Sequence, residues 1–133
     1  MKDQLQFAFS STEPPSLVGS YSEQLATLLE QDLDFHGHDS LYGSHGIHAF
    51  PAKFPPQLPK LFIEGLTDRD DTIVDPMMGS GTTVVESVRA GRDVVGVDLD
   101  PLAHLITRVK VTPLDKRRAA SSGRAIVQAA QTA

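Results

Sequence analysis

The chain has 133 residues, no cysteine, a 40% apolar share and a formal net charge of −5. That length allows one domain at most, or part of one. The missing thiols exclude a disulfide scaffold and a thiolate metal site. No apolar run approaches the ~18 residues of a membrane span. The segment from Met1 to Gln6 lacks the apolar core of a signal peptide, so a soluble cytoplasmic protein is expected. The charge is uneven: residues 1–100 carry 6 Lys/Arg against 16 Asp/Glu, whereas residues 101–133 carry 6 against Asp115 alone. The acidic body argues against this piece gripping a phosphate backbone by itself. The basic tail reads as a solvated helix face, with nucleic-acid contact as the alternative.

Residues 1–19 are polar, carry Pro14 and Pro15, and read as a disordered or loosely docked arm. Ser20 and Glu23 fit a capping box. Leu25, Leu28, Leu29 and Leu33 follow at helical spacing, which predicts a helix over 21–33 with a docking stripe. Residues 34–50 read as a loop. Its histidines, His36, His38, His45 and His48, are irregularly spaced and separated by glycines, which does not suit a metal centre. They are expected to be exposed, or one of them to line a ligand cleft. Residues 51–59 carry too many prolines for a helix interior or a central strand. A short helix from Lys60 to Leu66 is expected to start at Pro59.

Thr67 to Asp71 reads as a turn and Thr72 to Asp75 as a buried strand. A helix is expected over about 81–90, with Gly91 closing it. The second strand is expected from Asp93 to Asp98, and its valines suit a parallel strand covered on both faces. Pro101 opens a further helix with a stripe of Leu102, Leu105, Ile106 and Val109, ended by Thr112 and Pro113. Asp115 to Ala133 looks helical, interrupted at Ser121, Ser122 and Gly123. Strand, helix, strand makes a βαβ unit, expected to cross over right-handedly.

The turn inside that unit carries the chemistry. Gly79 and Gly81 remove Cβ where the backbone must turn and a ligand approach closely. The free amides of the helix that follows favour an electronegative group. Asp98, at the end of the second strand, is placed to accept hydrogen bonds from both hydroxyls of a ribose. A dinucleotide fingerprint needs a third glycine where Val84 stands. A P-loop needs a lysine after Gly81, and Thr82 stands there instead. The remaining option is a cofactor without a pyrophosphate, and S-adenosylmethionine fits. Asp75 would then meet the ammonium group of its amino-acid end, directly or through water.

The segment Asp75-Pro76-Met77-Met78-Gly79-Ser80-Gly81-Thr82-Thr83 resembles the cofactor motif D-P-F-x-G-S-G-T-T of the DNA amino-methyltransferases, which methylate the exocyclic amine of cytosine or adenine. Met77 stands at the usual phenylalanine. Gly96 to Pro101 is similar to the family's next motif, which implies Asp98 as the ribose acid and Asp100 and Pro101 near the adenine. His48 to Pro56 resembles a segment that closes over the methionine end of the cofactor, which implies roles for Lys53, Phe54 and Pro55. The resemblance covers about residues 45–112. It implies a Rossmann-like class I methyltransferase fold, only partly present: a first βαβ unit after an N-terminal extension. On this reading residues 1–44 form an arm and helix, residues 45–112 the S-adenosylmethionine-binding part, and residues 113–133 a helical tail.

The family's catalytic segment, Asp/Asn/Ser-Pro-Pro-Tyr/Phe, is not found. The two Pro-Pro pairs, Pro14–Pro15 and Pro55–Pro56, have other flanks, so no catalytic residue is assigned in this chain. Val94, Val95 and the face of Leu102, Leu105 and Ile106 would need covering by something these residues do not supply. The chain is therefore expected to be a truncated reading of a longer enzyme or one half of a split one. The remainder would carry catalysis, target recognition and DNA binding, and a paired restriction nuclease is compatible. An RNA methyltransferase with the same core and a non-catalytic cofactor-binding subunit stay open as alternatives.

Overall fold

The computed structural model describes residues 19–51 and 53–132. The expected arm over residues 1–19 and the Pro14–Pro15 pair lie outside them, Gly19 apart. Helix α1 runs Tyr21–Leu29 behind a capping box, with the Ser20 amide donating to the Glu23 carboxylate at 2.7 Å. It stops four residues short of the expected Leu33. There Asp32 accepts from the Asp34 amide and turns the chain instead. Of the leucine stripe only Leu28 is buried. It sits on Gly65, where a Cβ would stand 2.9 Å from Leu28 Cδ1.

A single 3-10 turn, His45–Ile47, interrupts the loop that follows. Helix α2 spans Gln57–Leu66, with Pro56 at its N-cap. It starts before the expected Lys60. Pro59 lies in the first turn, where an amide has no helical partner to lose, so the proline costs nothing there.

Strand β1, Thr72–Asp75, and strand β2, Asp93–Gly96, form a two-stranded parallel sheet that pairs Ile73 with Val94 and Asp75 with Gly96. Helix α3, Thr82–Arg89, connects them. The β2 ladder ends two residues before Asp98. Val97 still donates to the Asp75 carbonyl at 2.8 Å and accepts from the Met78 amide at 3.0 Å. Both strands alternate between exposed and half-buried positions. The expectation of a sheet covered on both faces is therefore corrected. Packing by α3 covers the face of Ile73 and Val94, while Val74 is 64% exposed and Val95 and Val97 stand out beside it.

At the other end of the sheet Arg92 reaches back to the C-cap of α2. Its Nε donates to Thr67 Oγ1 at 3.1 Å and its Nη2 to the Thr67 carbonyl at 2.6 Å. Gly91 takes φ +72 beyond α3, as a C′ residue does.

Helix α4, Pro101–Val111, begins at Asp100, whose side chain accepts from the Leu102 amide at 2.8 Å. Its buried face is Ala103, Ile106, Thr107 and Lys110. Leu102, Leu105 and Val109 of the expected stripe are exposed. The more polar face is the one turned inward, because it packs on the glycine turn. Helix α5, Lys116–Gln131, is continuous and buries no residue. The expected break at Gly123 is absent. The Ser121 hydroxyl donates to the Arg118 carbonyl, and the alanines around it keep helical propensity high. Among the described residues no helix is long and apolar enough to cross a membrane.

Candidate functional site

Asp75 ends β1 and Asp98 follows two residues after β2, at the same end of the parallel pair, with the turn 78–81 beside them. Gly79 has φ +51 and Gly81 φ +77, conformations that an L side chain adopts at a cost. Gly81 is also backed by α4: a Cβ there would lie 2.5 Å from both Thr107 Cγ2 and Oγ1. The close approach that demands this glycine is therefore to a helix of the chain itself. Gly96 answers a similar demand, because a Cβ there would stand 2.6 Å from the sulfur of buried Met78.

Asp98 organises the turn. Its Oδ2 accepts from the Gly79 amide at 2.8 Å and its Oδ1 from the Asp100 amide at 2.9 Å. These amides, Asp100 first and then Gly79, hold its carboxyl below the usual carboxylate range. Asp98 is thus an anion at neutral pH. A depressed carboxyl contributes its stability in full above the unfolded value of about 3.9 and loses it as pH falls through the folded value. Asp98→Asn is expected to flatten the acid limb of a stability-versus-pH curve in that window, followed by circular dichroism. Asp75 Oδ1 accepts from the Met77 amide at 3.1 Å and fixes the start of the turn. Pro76 and Met77 are exposed beside it, as are Asp100 and Pro101 across the edge. Ser80 and Thr82 are buried.

The upstream segment also reaches this edge. Phe50 lies against Gly79, its Cε1 3.6 Å from where a Cβ would stand. Lys53 donates to the His45 carbonyl at 3.0 Å. Phe54 is exposed and Pro55 half-buried, and the Pro55 carbonyl accepts from Leu58 at the start of α2. Of the expected site residues, Phe54 and Pro55 make no hydrogen bond or ring contact with the turn among the described residues.

Three residues that matter here escape a reading of the sequence alone. His45 is 1% exposed, and its Nε2 donates to Glu86 Oε1 at 2.7 Å. It is neither exposed nor open to a cleft, which corrects that expectation. Arg89 Nε stands 3.5 Å from the same oxygen and its guanidinium lies over the Tyr42 ring. Burial first, and then the Glu86 carboxylate, push the Tyr42 phenol well above its ordinary range. The signal was present: Glu86 falls among Thr82, Val85 and Arg89 on one face of α3, and a carboxylate there needs a partner. Thr107 and Lys110 are the others. Thr107 Oγ1 donates to the Gly79 carbonyl at 3.3 Å and Lys110 Nζ to the Ser80 carbonyl at 2.8 Å.

The other loop histidines are dispersed: His36 pairs with Asp34, and His48 tilts against Phe50. Among the described residues no group of three or more His, Cys, Asp or Glu is placed to hold a metal ion.

A family model described as DNA methylase, covering N6 and N4 methyltransferases, matches residues 22–108. The chain belongs to the DNA methylase family. Relatives of this methylase chain include the type II methyltransferase M.MjaII of Methanocaldococcus jannaschii, 37% identical over 98 residues, which cover 71% of this chain and 18% of the relative. The type II methyltransferase M.MvaI of Kocuria varians is 41% identical over 76 residues, 54% of this chain and 16% of the relative. The chain thus spans under a fifth of either relative's length. Among solved structures, the cytosine-N4-specific PvuII DNA methyltransferase aligns over 77% of this chain and 31% of its own, at 26% identity and a TM-score of 0.48.

Proposed function

We propose that this methylase chain holds the methyl donor for transfer to an exocyclic amine of cytosine or adenine in DNA, with residues 45–112 as the binding part. The observation that carries this reading is the glycine turn that opens α3, held by Asp98 through the Gly79 amide and by Asp75 through the Met77 amide. S-adenosylmethionine fits the donor set. Asp98 is an anion suited to ribose hydroxyls, and the Ser80 hydroxyl is buried with no partner among the described residues. When bound, the cofactor supplies an electrophilic sulfonium methyl.

The chain's own residues act by positioning. Asp98 fixes the ribose end, with Asp100 and Pro101 beside the adenine. Asp75 holds the amino-acid end. Pro76, Met77, Gly79, Ser80, Gly81 and Thr82 shape the turn between them. Lys53, Phe54 and Pro55 belong to the segment over the methionine end. Acceptance of the methyl, target recognition and the grip on DNA are assigned to residues outside these 133, on the same or a second polypeptide. No Pro-Pro-Tyr or Pro-Pro-Phe occurs within the chain.

Calorimetry with S-adenosylmethionine on the full-length protein tests the reading. Asp98→Ala is expected to weaken binding roughly tenfold to hundredfold, the range for hydrogen bonds to a charged group. An unchanged affinity removes Asp98 from the site, and an absence of binding by the unmodified protein removes the donor.

A further inference from the structure

Helix α5 carries four cations, Lys116, Arg117, Arg118 and Arg124, and no acid among its 16 residues. It buries none of its side chains. Among the described residues no carboxylate pairs with any of the four. Asp115, the nearest acid in sequence, is engaged as the N-cap by the Arg118 amide at 2.8 Å. Three of the cations stand in the first turn, where the positive end of the helix dipole opposes them. Helix stability therefore does not account for them. The cations are also patterned. Arg117, Ser121, Arg124 and Gln128 recur at helical spacing on one face. Ala119, Ile126 and Ala130 lie on the opposite face. The Ser121 hydroxyl turns to the Arg118 carbonyl and leaves the row open between the two guanidinium groups. Arg117 and Arg124 are two turns apart, about 10 Å along the axis. That is about three phosphate steps along one strand of a duplex.

We propose that Arg117, Arg124 and Gln128 of α5 form a contact surface for the phosphate backbone of double-stranded DNA. This rests on the DNA-methylation reading and deepens it. It adds a contact from within the chain to the grip on DNA assigned to residues outside it. The chemistry suits the partner: a guanidinium fork meets phosphate oxygens with two hydrogen bonds, and a glutamine amide donates to them as well. Such contacts set register on the duplex and carry no sequence information. A basic amphipathic helix also suits a membrane surface, but helices of that kind carry Trp, Phe or Leu on their apolar side. Helix α5 has none of these, and its apolar side is mainly alanine.

The test is fluorescence anisotropy of the full-length protein on two duplexes of unrelated sequence, over about 50–200 mM salt. Arg117→Gln combined with Arg124→Gln is expected to reduce the slope of log affinity against log salt by about two on both duplexes, close to one per lost phosphate contact. Arg117→Lys combined with Arg124→Lys keeps the charges and is expected to keep most of the slope. Arg118→Gln, on another face, is expected to leave the slope as it is. Calorimetry with S-adenosylmethionine on the glutamine pair is expected to stay within about twofold of the unmodified protein, as for surface changes away from a site. An unchanged slope in the glutamine pair overturns the surface alone. A fall of about one for Arg118→Gln makes the effect one of net charge and overturns it too. So does retention on phosphatidylserine vesicles that the glutamine pair loses while its DNA binding holds. If the glutamine pair does not fold, the single variants decide, each expected to reduce the slope by about one. An unmodified protein that binds S-adenosylmethionine and neither duplex overturns the DNA reading as well.

Discussion

Glu86→Ala is expected to lower the unfolding free energy by about 2–3 kcal/mol, the upper part of the range for leaving a buried donor without its acceptor. Glu86 is 2% exposed and accepts from a histidine that is more deeply buried still. Removing the carboxylate leaves the His45 N–H without this acceptor and takes from Arg89 an acid 3.5 Å away, so most of the loss is the desolvation of what remains. Urea denaturation monitored by circular dichroism measures it. Glu86→Gln keeps an oxygen for His45 and is expected to lose about half as much. Pairing Glu86→Ala with His45→Ala is expected to cost less than the sum of the two, by about 1–3 kcal/mol. A cost below about 1 kcal/mol for Glu86→Ala would show that the pair does not hold the loop to α3. The same change is expected to loosen the segment from His45 to Lys53, because the His45 carbonyl is what Lys53 holds.

Gly81→Ala is the second large effect, expected at roughly 2–5 kcal/mol. Part of it is the left-handed backbone, which costs a residue with a Cβ about 1–2 kcal/mol. The rest is overpacking against Thr107, typically about 1–3 kcal/mol. The two parts separate experimentally. Thr107→Ala removes the γ atoms and is expected to recover most of the overpacking but none of the backbone cost. Thermal unfolding of the single and double variants gives both numbers. Full recovery in the double variant would show that the φ of +77 carries no cost at this position.

Much of this arrangement was legible from residue types. The capping box at Ser20, the four residues of β1, the body of α3 and the start of α4 at Asp100 and Pro101 were read from local chemistry, which is decided within a few residues. Asp75 was placed at a strand end by an apolar run that stops at an acid, whereas the run that stops at Asp98 overshoots β2 by two residues. What local chemistry left unread was set by packing partners. The inward face of α4 carries Thr107 and Lys110 beside Ala103 and Ile106 because the glycine turn offers carbonyls to the first two, and no periodicity of leucines shows that. His45 looked like one of several loop histidines, because its partner is 41 residues away. The strands read as buried because valine is apolar, whereas their outer face has nothing over it in these residues. Gly81 was read as room for a ligand, and its nearest constraint is a threonine of α4.

The Arg92 bonds to Thr67 have a consequence at the far end of the sheet. Each strand has four residues, so few ladder bonds oppose a sliding of one past the other. A slip of one residue turns every side chain of the moved strand to the opposite face. It would carry Asp98 away from the Gly79 amide and part it from Asp75. Arg92 stands one residue before β2 and ties it to the end of the helix that leads into β1. Arg92 is thus expected to help hold the register from the base of the strands, remote from Asp75 at the tip of β1 and from Asp98 two residues past β2.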